Sequence, residues 1–225
     1  MSAPTTSPRF GLIVAIAALA SAVAFLDGTV VNVALPAIRD ELGGGLSTQQ
    51  WAVDAYLLTL SSLILFAGSV SDAFGRVLVL RIGLIGFGIA SIGVGLAPDP
   101  VVLIIARALQ GAAGAFLVPS SLALITSLLN GPAQARAIGQ WTAWTTGANL
   151  AGPLIGGLFV DLLSWRFAFL VNILPIAVTF VLLTRLGDVD RRRDDAHIDL
   201  VSAALCTLGL GGIVFALIEQ PNLGW

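Results

Sequence analysis

Apolar and polar positions alternate along this chain in long blocks, not at the short periods of a soluble helix or strand. Seven mostly apolar stretches run from Phe10 to Leu35, Trp51 to Val70, Leu80 to Ala97, Val101 to Leu122, Gly139 to Val160, Ala168 to Leu186 and Leu200 to Ile218. Each is close to the ~20 residues a helix needs to cross the hydrocarbon core of a bilayer. Polar or glycine-proline punctuation separates them, at Arg39–Gln50, Ser71–Gly75, Pro98–Pro100, Asn130–Arg136, Asp161–Arg166 and Asp188–Asp199. The pattern predicts an all-α membrane protein with seven spans. Arg9, the apolar run after it and Ala20-Ser21-Ala22 have the form of a cleavable leader. That apolar run is too long for a leader and continues past Asp27, so the first stretch is expected to be a span.

Composition agrees. Hydrophobic residues make up 57% of the chain and charged residues 11%, against about 25% charged in a soluble domain. The surplus apolar surface, with a mean hydropathy of +0.96, is expected to face lipid. All 11 basic residues are arginine. With the N-terminus inside, the cytoplasmic segments hold Arg9, Arg76, Arg81, Arg136, Arg185, Arg191, Arg192 and Arg193, and the outer loops hold Arg39 and Arg166. This positive-inside bias predicts a multi-pass protein of the cell membrane with a cytoplasmic N-terminus.

Cys206 stands alone, which excludes an internal disulfide and a cysteine metal site. The single His197 lies in a charged segment and is expected to be solvated. No metal, cofactor or nucleic-acid partner is expected. The sequence contains no Gly-x-x-x-x-Gly-Lys-Ser/Thr, His-Glu-x-x-His or Gly-x-Ser-x-Gly string, so an enzyme is not expected either. Asp188–Asp199 mixes Arg191, Arg192 and Arg193 with aspartates. It is expected to be a solvated cytoplasmic linker, with lipid-headgroup contact as the sharper alternative.

Three ionisable residues fall inside spans: Asp27, Asp54 and Arg107. Each costs roughly 2.5–3.5 kcal/mol near a helix centre on insertion scales. At about 1.5 Å per residue, Asp27 lies about 25 Å from the inner face, Arg107 about 9 Å below the outer face and Asp54 about 5 Å below it. All three thus fall in the outer half of the bilayer, where Asp27 and Arg107 can pair. Gln110, Gly111 and Gly114 share a helical face with Arg107. A carboxylate that takes up a proton loses its attraction for an arginine, so Asp27 and Arg107 are the candidates for proton coupling. Asn32, Asp54 and Gln110 are candidates for a cavity or interfacial position.

The fifth stretch places Ala148, Gly152 and Gly156 four residues apart, with Pro153 and Gly157 among them. A small-residue stripe lets helix backbones approach closely in lipid, and the proline is expected to kink the helix. Gly83, Gly86, Ala90 and Gly93 on the third stretch fit ordinary helix packing. Gly68-x-x-x-Asp72 followed by Arg76 is echoed by Gly157-x-x-x-Asp161 followed by Arg166. The first lies inside and the second outside, as in the inverted three-span repeats of secondary transporters.

Four motifs now stand in order: Leu26-Asp27-Gly28-Thr29-Val30-Val31-Asn32-Val33-Ala34-Leu35-Pro36; Gly68-Ser69-Val70-Ser71-Asp72-Ala73-Phe74-Gly75-Arg76; Leu103-x-x-x-Arg107-x-x-Gln110-Gly111; and Gly152-Pro153-x-x-Gly156-Gly157. Together they resemble the drug:proton antiporters of the major facilitator superfamily, more narrowly the branch with 14 spans. Trp165-Arg166 and Phe169-Leu170-Val171-Asn172 continue the similarity.

The resemblance implies an all-α integral membrane fold. It would be the N-terminal six-helix half of a major-facilitator bundle (a 3+3 inverted repeat) plus a seventh transmembrane helix. Residues 1–187 would form the six-helix domain, 188–199 a cytoplasmic linker, and 200–225 the seventh helix and outer end. The resemblance further implies that Gly68, Asp72, Gly75 and Arg76 hold a cytoplasmic gate, that Arg107 takes part in proton transfer, that Asp27 lines the cavity, and that Gly152, Pro153, Gly156 and Gly157 shape the antiporter helix. Val77 and Ala73 stand where the loop motif usually carries basic residues, and Ala148 where glycine is usual. The implied activity is export of small amphipathic compounds in exchange for protons. The implied partners are the small-molecule substrate, protons, the lipid bilayer, and a C-terminal half or a second copy. A truncated half that transports nothing without a partner, or a symporter or uniporter of the same fold, are the alternatives.

Overall fold

The computed structural model describes residues 8–187 and 200–223, and among them every regular element is an α-helix. In chain order these are α1 (Pro8–Leu42), α2 (Gly45–Phe74), α3 (Arg76–Gly95), α4 (Pro100–Leu128), α5 (Gly131–Leu162), α6 (Trp165–Leu170), α7 (Ile173–Leu186) and α8 (Leu200–Leu223). The turns follow from local chemistry. Gly43 and Gly44 take φ of 77° and 78° between α1 and α2, a region that residues with a Cβ avoid. Asp99 caps α4, its Oδ1 accepting from the amides of Val101 and Val102 at 2.9 Å, with Pro100 at the first helical position.

Three sequence expectations change. First, the polar segments at 39–50 and 130–136 are helical except for short breaks, such as Gly43–Gly44 and Leu129–Asn130. A helix leaving the membrane keeps its backbone bonds while its polar side chains meet water, so polarity alone does not end it. Second, the sixth stretch is broken into α6 and α7 around Val171 and Asn172. Pro175 has no N–H for the carbonyl of Val171, which accepts from the Leu174 amide at 3.2 Å instead. Third, among the described residues five helices are long and apolar enough to cross a membrane: α1 to α4 and the α6–α7 pair over Trp165–Leu186. At 32 residues α5 is long enough, but Gln140, Thr142, Thr145, Thr146 and Asn149 make it more polar. The strongly apolar described part of α8 is Thr207–Leu217. The expected linker at 188–199, with its three arginines and His197, lies outside the described residues.

The helices pack pairwise: α1 on α5, α2 on α4, α3 on α4, and α8 on α2. Small residues set how close they come. A Cβ on Gly111 would strike the Tyr56 carbonyl of α2, with the carbonyl carbon 2.9 Å away, and Thr59 beside it. A Cβ on Gly156 would lie 3.2 Å from the Val30 carbonyl oxygen of α1, and one on Gly152 would meet Thr29 and the Leu26 carbonyl. At each of the three positions backbone atoms are among those met, and they cannot move aside. The opposite side of α5 carries Leu150, Leu154, Leu158 and Leu162, all exposed at four-residue spacing.

The α1–α5 contact also accommodates Pro153. Its missing N–H leaves the Asn149 carbonyl without the usual donor, and the Thr29 hydroxyl of α1 reaches that carbonyl at 3.2 Å. α5 continues through Pro153 as one helix.

At one end, Glu41 joins three elements. Its carboxylate accepts from Arg166 Nη2 at 2.6 Å and from Trp165 Nε1 at 2.7 Å. Arg166 stacks 4.4 Å over the Trp165 ring and donates through Nη1 to the carbonyls of Gly95 and Ala97 at 3.3 and 2.9 Å. The α1, α3 and α6 ends are thereby tied together. The repeat partner of Arg76 thus turns to Glu41, whereas Arg76 pairs with Asp72 of its own motif at 3.2 Å.

Gly111→Val is expected to destabilise the protein by about 1–3 kcal/mol, because the added atoms meet backbone. Gly147→Ala, placed in open space on a helix, should leave stability unchanged or slightly raised. Thermal unfolding in one detergent checks both. Glu41→Ala is expected to cost about 1 kcal/mol, since the ion pair is partly solvated. Its effect should shrink as salt is added, which a melt in low and high salt measures.

Candidate functional site

Asp27 lies in the middle of α1 and Arg107 in the first half of α4, and both are fully buried. A lone charge there would be strongly disfavoured, and the structure answers it with an ion pair. Arg107 Nη1 contacts Asp27 Oδ2. Arg107 Nη1 also donates to Gln110 Oε1 at 2.7 Å, and Nε donates to the Ala52 carbonyl of α2 at 2.7 Å. The guanidinium carbon sits 4.4 Å from the Tyr56 ring centroid and 5.5 Å from that of Phe169. Aromatic faces on both sides favour a cation where water is excluded.

The other carboxylate oxygen, Asp27 Oδ1, accepts from Gln110 Nε2 and from Asn172 Nδ2, both at 2.8 Å. Gln110 Nε2 also reaches the Ser91 hydroxyl of α3 at 2.9 Å. Tyr56 donates its hydroxyl proton to the Ala24 carbonyl at 3.1 Å, one turn before Asp27. Arg107 and Gln110 of α4 and Asn172 of the α6–α7 break therefore meet at the Asp27 carboxylate of α1, with Tyr56 of α2 and Ser91 of α3 bonded beside it. Every group aimed at Asp27 donates a hydrogen bond, so this arrangement suits the ionised acid.

Helical spacing explains how α4 supplies so much. Arg107, Gln110, Gly111 and Gly114 fall on one face, and all four are buried. The first two bring polar atoms; the glycines admit the α2 backbone and the Tyr56 hydroxyl. Gly114 would place a Cβ 3.4 Å from that hydroxyl. Thr59 reinforces the junction by donating to the Ala108 carbonyl at 2.8 Å.

The remaining sequence candidates are distributed elsewhere. Gln110 belongs to the buried network and not to an open face. Asn32 is exposed, with its amide nitrogen within 3.5 Å of the Gly28 carbonyl of its own helix. Asp54 is partly buried on α2. Gly75, with φ 105° and ψ 138°, forms the joint between α2 and α3, and its amide bonds the Ser71 carbonyl. Arg76 pairs with Asp72 across that joint, while Gly68 has open space around it. Gly157 would place a Cβ 3.8 Å from Val33, an ordinary contact beside the tighter Gly152 and Gly156. Sequence reasoning assigned no role at the site to Tyr56, Ser91 and Asn172. A polar uncharged residue in an apolar run was the available signal, and Asn172 three residues before Pro175 was its clearest instance. Among the described residues no cluster of metal-ligating side chains occurs.

The chain is 43% identical over 218 residues to the puromycin resistance protein of Streptomyces alboniger, covering 96% of this chain and 42% of that protein. It is 35% identical to the methylenomycin A resistance protein of Bacillus subtilis, covering 98% of this chain and 47% of the relative. The chain thus spans about half the length of the curated relatives it matches. Among solved structures, an inward-facing bacterial homologue of the human lysosomal transporter Spinster superposes with a TM-score of 0.69 at 19% identity, over 87% of this chain and 47% of that one. A peptide transporter superposes with a TM-score of 0.73 at 14% identity, over 100% and 49% respectively. The profile of the Major Facilitator Superfamily matches residues 17–219, nearly the whole sequence, and this multi-pass membrane chain belongs to that superfamily.

Proposed function

We propose that this chain forms the N-terminal half of a transporter that exports small amphipathic compounds in exchange for protons. The observation that carries the reading is the sealed Asp27–Arg107 pair, with three side-chain donors converging on the carboxylate. A proton on Asp27 removes its charge and leaves those donors facing a neutral acid, so protonation and conformation are linked. Arg107 keeps its bond to the Ala52 carbonyl and its place against Tyr56. The acid is therefore the element free to change state.

Relatives whose names denote puromycin, methylenomycin A and multidrug resistance support drug-like, amphipathic substrates. Exposed Trp144 on α5 and exposed Asn32 on α1 offer the mixed apolar and polar surface that such compounds need. Small residues along the α1–α5 contact hold those helices together without blocking rigid-body rocking of the half. Arg9, Arg76, Arg136 and Arg185 against Arg39 and Arg166 support a cytoplasmic N-terminus in the cell membrane. Alternating access is proposed for the whole transporter, in which this half faces a second one across the substrate path.

The test is transport by the full-length protein in proteoliposomes under an imposed pH gradient, with a fluorescent amphipathic dye as cargo. Asp27→Asn is expected to lower gradient-driven transport by more than about tenfold, the scale of a lost coupling free energy. Protein yield and thermal stability are measured alongside, and the melting temperature is expected to fall because Arg107 is left buried without its partner; transport is therefore compared at equal amounts of folded protein. Gradient-driven dye movement that survives Asp27→Asn would exclude Asp27 as the coupling acid. Dye movement equal to that of empty vesicles in the parent itself would remove the export reading.

A further inference from the structure

Two amides hold Asp27, and they differ in one respect. Gln110 is engaged at both ends: its nitrogen donates to Asp27 and lies by Ser91, and its oxygen accepts from Arg107. Turning it over would break the Arg107 bond and set two donors against each other. Asn172 is fully buried and engaged at one end only. Its Nδ2 donates to Asp27 Oδ1 at 2.8 Å, while its Oδ1 has no hydrogen-bond partner. A buried amide oxygen without a donor costs on the order of 1–3 kcal/mol, so it needs an explanation.

We infer that Asn172 is the residue that reads the protonation state of Asp27 and passes it to the break between α6 and α7. This deepens the proton-exchange reading above and rests on it. In the ionised state Asn172 donates to the carboxylate, as seen here. A proton from hydronium on the aqueous side then bonds to Asp27 Oδ1, which must now donate. The Asn172 side chain turns over, and its unpaired oxygen accepts the new O–H. No bond other than that O–H is formed, and one hydrogen bond replaces another. The neutral acid then has a partner that does not involve Arg107.

The position of Asn172 gives the swap a mechanical consequence. The residue sits in the two-residue break, where its own amide bonds the Phe169 carbonyl at 3.2 Å and its carbonyl accepts from the Ile176 amide at 3.2 Å. Pro175 has already removed one backbone donor from this turn. Phe169, three residues earlier, lies against the Arg107 guanidinium. A side-chain turn at Asn172 is therefore applied at the weakest point of the sixth span. The ionisable groups facing the site are Arg107 from α4 and Tyr56 from α2; α3 supplies Ser91, and α6–α7 supplies Phe169 and Asn172 itself. Asp54 lies about 200° around α2 from both Ala52 and Tyr56, on the other side of that helix.

The experiment uses the full-length protein in lipid nanodiscs, with infrared difference spectra between alkaline and acid conditions and hydrogen–deuterium exchange over residues 169–176, corrected for intrinsic exchange rates. The parent should give an acid-induced carboxyl band, a paired shift of an amide carbonyl band, and a change in protection at the α6–α7 break. Asp27→Asn should lose all three responses to acid. Asn172→Leu should keep a carboxyl band, moved to higher frequency for want of an acceptor, and lose both the amide shift and the change in protection. Asn172→Ser provides the same comparison should the leucine variant fail to fold. An amide shift and a protection change that persist in both Asn172 variants would overturn the inference while leaving Asp27 as the proton carrier. A parent without an Asp27 carboxyl band would overturn both.

Discussion

Everything in this half-bundle is arranged around one charge that lipid will not tolerate. Moving a carboxylate or a guanidinium out of water costs several kcal/mol even after relaxation, and the attraction of the pair offsets this only when the geometry is good and the spare donors and acceptors are filled. Asp27 meets those conditions with donors from α4 and the α6–α7 break; Arg107 has the Ala52 carbonyl, Gln110 and two aromatic faces, while its Nη2 has no hydrogen-bond partner. The consequence is geometric. Five elements must bring atoms within about 3 Å of one another at fixed points along their length, so the pair sets the mutual register of α1, α2, α3, α4 and the broken sixth span. Apolar packing alone would not do this, because lipid tails are as apolar as the leucines they replace.

Bringing five elements to one point requires backbones to come unusually close, and the glycines of α4 and α5 meet that need. Gly111 receives the Tyr56 carbonyl beside the pair, and Gly152 and Gly156 receive α1. Close approach then makes a second kind of chemistry available. In hydrocarbon an unpaired carbonyl is costly, yet Pro153 and Pro175 each leave one. Because α1 lies so near, the Thr29 hydroxyl reaches the carbonyl that Pro153 strands, and α5 stays whole. No neighbour provides this at Pro175; the chain tightens to a shorter hydrogen bond and the helix breaks. The same residue type thus stands inside a continuous helix at Pro36, Pro119 and Pro153 and beside a joint at Pro175.

The sequence made the spans and the charged pair legible for a simple physical reason. Apolar length and intramembrane charge are one-dimensional signals, and Asp27, Arg107 and the Gln110–Gly114 face can be read without knowing any partner. The close approach of α5 at Gly152 and Gly156 was legible for the same reason, from the four-residue spacing of small residues alone. Helix ends were not, because the polar residues around Arg39–Gln50 continue the helices into water. The break at Asn172 was not, because an asparagine in an apolar run has two solutions that look alike on paper. Asn32 adopts one, lying near carbonyls of its own helix, and Asn172 the other, donating across the bundle. Glu41, Tyr56 and Ser91 were hidden for a related reason: their partners lie far off in sequence, at Arg166, Ala24 and Gln110. Only the folded chain brings such pairs together.

A site built this way has a built-in preference of known sign. All the polar atoms around Asp27 donate, so the conformation described here belongs to the ionised acid, and adding a proton strands hydrogen bonds that the surroundings were shaped to give. The neutral acid in turn relieves the cost of holding a bare carboxylate in a dry place. The two states therefore exchange one set of interactions for another, the kind of balance a two-state element needs if a single binding event is to change which state dominates. Arg107 is held by its Nε bond to the Ala52 carbonyl and by two neighbouring rings as well as by Asp27. On the proposed reading, the change falls on the partners of Asp27 that have least to lose. Of the two amides, one is locked by the arginine itself, and the other stands in the only element of the sixth span that its own proline has already weakened.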